Sequence, residues 1–286
     1  MRIGVESWAY HRYFGDLYPW EERVGTRWTA EDFCRRAAEL GVDEVALQSI
    51  HLGDGSPERL ARLQETLDEL GLRPALSWGH SDGLRGGTSP EREGDLHAAL
   101  DTAAALGAHV VRIVCGDHTT WSEPVAPRKR ALALILERAA AAAAARGLEL
   151  AIENHADFAT AELVDLVRTV GAPNVGICFD DGNAMRVGES PLQAAELVAG
   201  LVRMVHIKDL AVLPEAVGDP GGRWPTVPLG AGEVDVDGVL DRLAAGGFDG
   251  SVFVELSSMH PSWPDEDDAV RRGVDFLRRR AGDVSS

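Results

Sequence analysis

Positive charge is scarce in this chain of 286 residues: 28 lysines and arginines face 46 aspartates and glutamates, for a formal net charge of −18. Phosphodiester backbones are bound by basic patches that displace counterions, so nucleic acid is not expected as a partner. Long apolar runs are missing too. None approaches the ~20 residues of a membrane span, and strand-like residues from Arg2 onward leave no room for a signal peptide. No membrane partner is therefore expected, and the expected location is cytoplasmic. Cysteine is sparse: Cys34, Cys115 and Cys178 fall inside apolar patterns with no metal-type spacing, which reads as reduced, buried thiols.

Apolar residues make up 45% of the chain, enough for a large core. Runs of strand length alternate with helical stretches from end to end, the pattern of βα units and a parallel sheet. Eight strands are expected at 2–7, 43–48, 72–78, 109–115, 148–153, 175–180, 202–207 and 251–256. Helices are expected at 31–40, 57–70 and 91–106, each stopped by a glycine (Gly41, Gly71, Gly107), and at 128–146, which carries seven consecutive alanines. Eight such units in a chain of this size fit a single α/β domain over 1–286, a (β/α)8 TIM barrel, which typically takes about 250 residues.

The strand ends carry the chemistry. Leu148–Ile152 is apolar and stops abruptly on Glu153, Asn154 and His155; Val175–Phe179 runs into Asp180, Asp181, Gly182 and Asn183; Met204–Val205 into His206, Ile207, Lys208 and Asp209; Val252–Val254 into Glu255. Carboxyl ends of parallel strands are where such architectures place ligands. Alternation puts Glu153 on the face of Ala151, Asp180 with Cys178, His206 with Met204 and Glu255 with Phe253, so the four can converge. Three carboxylates and an imidazole, without a thiolate, make a hard site for one divalent metal ion, with Mn2+ favoured and Mg2+ or Co2+ admissible.

The long connections 8–28, 115–124 and 209–233 all follow strands, so one rim is elaborated. Seven of nine histidines and all seven tryptophans fall on that rim, suiting a pocket that stacks on a sugar ring and orients hydroxyls. The competing explanation is a lid with its own small core. Trp8, His80, His155, Asn183 and Lys208 are the candidate substrate contacts. Arg186, Lys208 and Arg223 are the few cations on the rim, and Asp219 accompanies the glycines 218, 221 and 222, which favours a substrate without phosphate.

The segments Ile152–His155, Cys178–Ala184, His206–Asp209 and Phe253–Glu255, in this order, resemble the sugar phosphate isomerase/epimerase superfamily of xylose-isomerase-like TIM barrels. Leu229–Asp235 is similar to the glycine turn after that family's seventh strand. The resemblance covers nearly the whole chain and includes ketose 3-epimerases and inosose dehydratase. It implies that Glu153, Asp180, His206 and Glu255 bind the metal and that Glu153 and Glu255 are catalytic, moving the substrate proton. Two positions depart from the pattern. Asp181 stands where threonine is frequent, either as an extra charge at the site or as a helix cap. Val212 stands where many ketose epimerases carry an arginine.

The expected activity is a metal-dependent epimerase or isomerase of a ketose or keto-sugar, working through an enediolate. A lyase on the same scaffold, such as a dehydratase or a deglycosidase of a 3-keto sugar, is the first alternative, and a non-catalytic sugar-binding barrel the second. The partner is a small sugar; a homo-oligomer is left open.

Overall fold

A computed structural model describes residues 1–282. Eight strands, Arg2–Glu6, Glu44–Gln48, Arg73–Ser77, Val110–Val114, Glu149–Glu153, Val175–Asp180, Val202–Ile207 and Ser251–Val254, form a closed barrel. Every neighbouring pair is parallel, and the first strand closes on the eighth with Gly4 opposite Phe253. Each strand lies within the span expected from the apolar pattern, because strands covered on both faces must be continuously apolar.

Period-two alternation divides the barrel interior into layers. The middle layer is Ala46, Ala75, Val110, Ala151, Cys178, Met204 and Phe253, a small apolar cluster separate from the large core between sheet and helices. Phe253 is its largest side chain. A Cβ on Gly4 would lie 2.4 Å from the Phe253 ring, so the first strand needs glycine there for the barrel to close. Below this layer the buried Glu44 gathers Arg2, Arg73 (Nη1 to Oε1, 3.0 Å) and His109 (Nε2 to Oε2, 3.7 Å), plugging the bottom of the barrel. Above it, Glu6, Ser77, Arg112, Glu153, Asp180, His206 and Glu255 stand at the mouth, all at most about 5% exposed.

The helices start and stop where local chemistry dictates. Thr29 and Asp32 form a reciprocal capping box ahead of Ala30–Glu39, and proline opens Pro57–Leu70 and Pro191–Val198. Gly41, Gly71 and Gly107 take φ of +70°, +67° and +69°, the left-handed turn that ends a helix. The alanine-rich helix runs Val125–Ala144, three residues earlier than its periodicity predicts, and buries Ala139, Ala140 and Ala143. All three cysteines are free and buried. Among the described residues no helix is long and apolar enough to cross a membrane.

The long connection after the seventh strand is ordered by one carboxylate. Two short strands, Asp209–Leu210 and Thr226–Val227, pair antiparallel within it. Buried Asp209 accepts the N–H groups of Gly230 (3.0 Å), Gly232 (2.8 Å), Val234 (3.0 Å) and Leu210 (2.9 Å). A Cβ on Gly232 would lie 2.2 Å from Asp209 Oδ1, which explains the glycine. Asp209→Ala leaves these donors without an acceptor and should destabilise the fold by about 3 kcal/mol in urea denaturation; a loss under about 1 kcal/mol would mean that solvent replaces the carboxylate.

Candidate active site

Ligand-type atoms of Glu153, Asp180, His206 and Glu255 all lie within 4.8 Å of one another, and all four residues are buried. They come from the ends of strands five, six, seven and eight, so adjacent strands deliver them to one point. His206 is the hub: Nδ1 is 3.5 Å from Glu153 Oε2 and 3.5 Å from Glu255 Oε2, and Nε2 is 3.5 Å from Glu6 Oε2. Lys208 Nζ lies 2.8 Å from Asp180 Oδ2 and 2.5 Å from Glu255 Oε2. Even so, Asp180 Oδ2, Glu255 Oε2 and both His206 nitrogens have no aligned hydrogen-bond partner among the described residues. One donor atom each from Glu153, Asp180, His206 and Glu255, buried and within 4.8 Å of one another, fits a divalent cation; the His206 atom is Nδ1, since Nε2 faces Glu6.

Two residues at this mouth, Arg112 and Glu6, are not among the candidates named from the sequence. Arg112, in the middle of the fourth strand, pairs through Nε with Glu153 Oε2. Glu6, at the end of the first strand, accepts from Ser77 Oγ at 2.7 Å and backs His206. Strand alternation was the available signal, since Arg112 shares its inner face with Val110 and Glu6 with Gly4. Asn183 Nδ2 donates to Glu153 Oε1 at 2.9 Å, so both oxygens of that glutamate are held.

Electrostatics here is a contest between burial and neighbours. Burial opposes ionisation of Glu153, but the Arg112 guanidinium and His206 outweigh it and hold its carboxyl below the usual range. Burial likewise opposes the Glu255 carboxylate, and Lys208 and His206 overcome it. For Asp180 burial prevails over Lys208, and its pKa is raised. Burial lowers His155 to about 4, so its ring is neutral at physiological pH.

Asp181 turns away from the centre. Its Oδ1 accepts from the backbone of Lys208 (3.0 Å) and Gly182 (2.8 Å), whereas Asp180 Oδ1 caps the short helix Asp181–Arg186 through Asn183 N (2.8 Å). Asn154 is a clamp, donating to Asp180 O at 2.7 Å and accepting from Asp180 N at 2.8 Å.

The centre opens into a cleft of about 280 Å³ whose lining includes Trp8, Glu153, His155, Asn183, Lys208 and Glu255. Trp8 forms a fixed wall, stacked between His11 (5.1 Å) and His51 (6.0 Å). Tyr18, Trp20, His118 and Trp224 also line the cleft. The expectation for His80 is corrected: it does not line this cleft, because Arg92 Nη1 approaches its Nδ1 at 2.5 Å and draws the ring toward the next helix. The tryptophans divide as well. Trp28 packs on Tyr13 at 4.3 Å, Trp78 is in the core, and Trp263 lies under Arg272 at a separate surface hollow. That hollow (about 440 Å³) and one at the barrel bottom around Arg2 and Arg73 (about 330 Å³) are larger, but neither adjoins the carboxylate and imidazole cluster.

A family model described as xylose isomerase-like TIM barrel matches residues 34–280. The chain belongs to that family. An inosose dehydratase of Clostridium botulinum is 23% identical over 287 residues, covering 89% of this chain and 94% of that one. A structure of the IOLI protein with a binding zinc atom superposes with a TM-score of 0.77 at 18% identity, covering all of both chains. A structure of L-ribulose 3-epimerase gives 0.73 at 18%, covering 100% and 98%. At these identities the structural likeness establishes the barrel and nothing finer.

The turn after Glu153 is strained. Ala156 takes φ of +60°, and the next residue, Asp157, is 1% exposed with neither carboxylate oxygen hydrogen-bonded among the described residues. Burial raises its pKa from 3.8 to about 7. A carboxyl raised in this way leaves the fold unpenalised below its unfolded pKa and subtracts stability as pH rises toward the folded value. Asp157→Asn does not titrate, so its stability relative to the unmodified chain should improve by a few kcal/mol between about pH 4 and pH 8. Urea denaturation across that range checks this; a pH-independent difference would contradict it.

Proposed function

We propose that this barrel is a divalent-metal-dependent enzyme that enolises a keto-sugar or keto-polyol. The observation that carries the reading is the convergence of Glu153, Asp180, His206 and Glu255, all buried, at the floor of an aromatic-walled cleft. A divalent ion held by these four would supply a Lewis acid to the substrate's carbonyl and hydroxyl oxygens. Glu153 and Glu255 come from strands five and eight and stand on either side of His206, where one can take the proton next to the carbonyl. Arg112 and Asn183 hold Glu153 in one orientation, and Arg112 with His206 keeps it ionised. Trp8 supplies a rigid apolar wall, and the neutral His155, with Nδ1 3.2 Å from Gly116 O, offers its other ring nitrogen to substrate oxygens.

The two glutamates are not equivalent. Glu153 is pinned by a guanidinium and an amide, while Glu255 faces the Lys208 ammonium. A 3-epimerase requires a base and an acid of matched reach on opposite faces of one carbon. A β-elimination requires one base and one proton donor for the departing hydroxyl, which suits Glu153 on one side and Lys208 beside Glu255 on the other. We therefore favour a lyase, a dehydratase of the type named in the Clostridium relative, over the epimerase outcome. Epimerisation remains the second reading because both carboxylates border the same imidazole.

Elemental analysis after dialysis should find about one divalent ion per chain, removable by chelator with loss of activity, Mn2+ being the first to try on hard-donor grounds. Asp180→Asn and His206→Ala should each lower occupancy strongly, and Asp181→Asn should leave it near wild type. Full occupancy in both of the first two variants would end the four-residue assignment.

Fate is read from the products. A dehydratase yields a product lighter by one water. Lys208→Met should then cut its formation by roughly a hundredfold while exchange of the substrate's proton with solvent continues. A product of unchanged mass, inverted at one carbon, would favour the epimerase.

A further inference from the structure

The same cleft carries two arginines that the metal chemistry does not use. Arg186 and Arg223 both line it, and among the described residues neither pairs with a carboxylate. In a chain with net charge −18 this is unusual, because most of its other buried or half-buried cations at the barrel mouth and rim have acidic partners: Arg112 has Glu153, Lys208 has Asp180 and Glu255, Arg12 has Glu266. Arg186 is held in place by neutral acceptors, with Nε and Nη2 on Pro220 O (3.1 and 2.7 Å) and Nη1 on Asn183 Oδ1 (2.9 Å). Arg223 has no side-chain hydrogen bond among the described residues. Its guanidinium lies 5.6 Å over the Trp20 ring, and its Nε is buried without a partner. A buried guanidinium N–H without an acceptor is costly unless a ligand supplies one.

Accepting the enolising reading above, we infer that the substrate carries a carboxylate at the end away from the reacting carbonyl, bound by Arg223 with Arg186 beside it. The geometry selects a carboxylate over a phosphate ester. The glycine loop that adjoins the arginines could serve a phosphate only through free backbone N–H groups, and these are taken: Gly221 N–H donates to Asp219 Oδ1 and Gly222 N–H to Asp219 O, both at 3.0 Å. The Asp219 carboxylate also disfavours a dianion more than a monoanion. A planar guanidinium matches a carboxylate in two parallel hydrogen bonds and needs no such nest.

The test is calorimetric titration of the Mn2+-loaded protein with 2-ketohexoses and their six-position acids, D-fructose against D-fructuronate and D-tagatose against D-tagaturonate, with D-fructose 6-phosphate as the phosphate arm. At least one acid should bind about tenfold or more tightly than its parent sugar, the scale of one charge-assisted pair. Arg223→Gln should erase that advantage without changing metal content or affinity for the neutral sugar. If no acid exceeds its sugar, or if the advantage survives in Arg223→Gln, the inference is wrong. Tighter binding of the phosphate than of the acids overturns the choice of carboxylate. Failure of the enolising reading shows separately, as protein that holds no divalent ion or whose affinity for acid and sugar alike is untouched by chelator.

Discussion

Concentrated negative charge in a dry place is the constraint to which the rest of this barrel answers. Glu6, Glu153, Asp180, Asp181 and Glu255 are all buried at the mouth, each at most 4% exposed. Removing a carboxylate from water costs several kcal/mol even after relaxation, so each needs a partner. Arg112 rises from the fourth strand to Glu153, Lys208 reaches Asp180 and Glu255, His206 stands among four acids, and the backbone of the sixth and seventh strand ends satisfies one oxygen of Asp181. What results is a set of carboxylate oxygens and one imidazole nitrogen converging on one point, a site whose charge balance improves on taking a cation. Rigidity follows from the same constraint. Asn154 clamps strand five to strand six, and Asn183 joins the helix after strand six to Glu153, so the donors are fixed before anything binds.

Around that fixed floor the loops decide what is bound. The first connection brings Trp8, locked between two histidines, and Trp20, tied through Nε1 to Ser258 Oγ at 2.7 Å. The seventh brings Trp224 and Arg223 on a loop anchored by Asp209. On the proposed reading, strand ends supply the reaction and loops the selectivity, the division usual in (β/α)8 enzymes. This is consistent with a family in which dehydratases and epimerases share one barrel.

Strand positions and the convergence of Glu153, Asp180, His206 and Glu255 are legible in the sequence because both follow from one short-range rule, the two-residue period of a buried strand. The same rule points inward at Arg112 and Glu6, but a mid-strand arginine and a glutamate on the first strand look like salt-bridge formers until the neighbouring strand is known. Whether Asp181 faced the site or capped a helix depended on the backbone of Lys208, 27 positions away in sequence. His80, Trp28 and Trp263 stand outside the cleft for a related reason: they lie in connections, where a side chain's direction is set by partners such as Arg92, Tyr13 or Arg272 that no periodicity reveals. Tyr18 enters the cleft on the same terms, with no local pattern to announce it, whereas His118 is among the rim histidines.

All readings of the chemistry pass through one event, removal of a proton next to a carbonyl by a carboxylate at this centre. Incubating the metal-loaded protein in deuterium oxide with a library of keto-sugars and keto-polyols, and following each compound by proton NMR and mass spectrometry, measures that event whatever the product. Enolisation predicts deuterium beside the carbonyl of at least one recovered compound or its product, dependent on metal and lost in Glu153→Gln. No incorporation in any member, with the divalent ion bound, would contradict it and leave a barrel that binds sugars without turning them over.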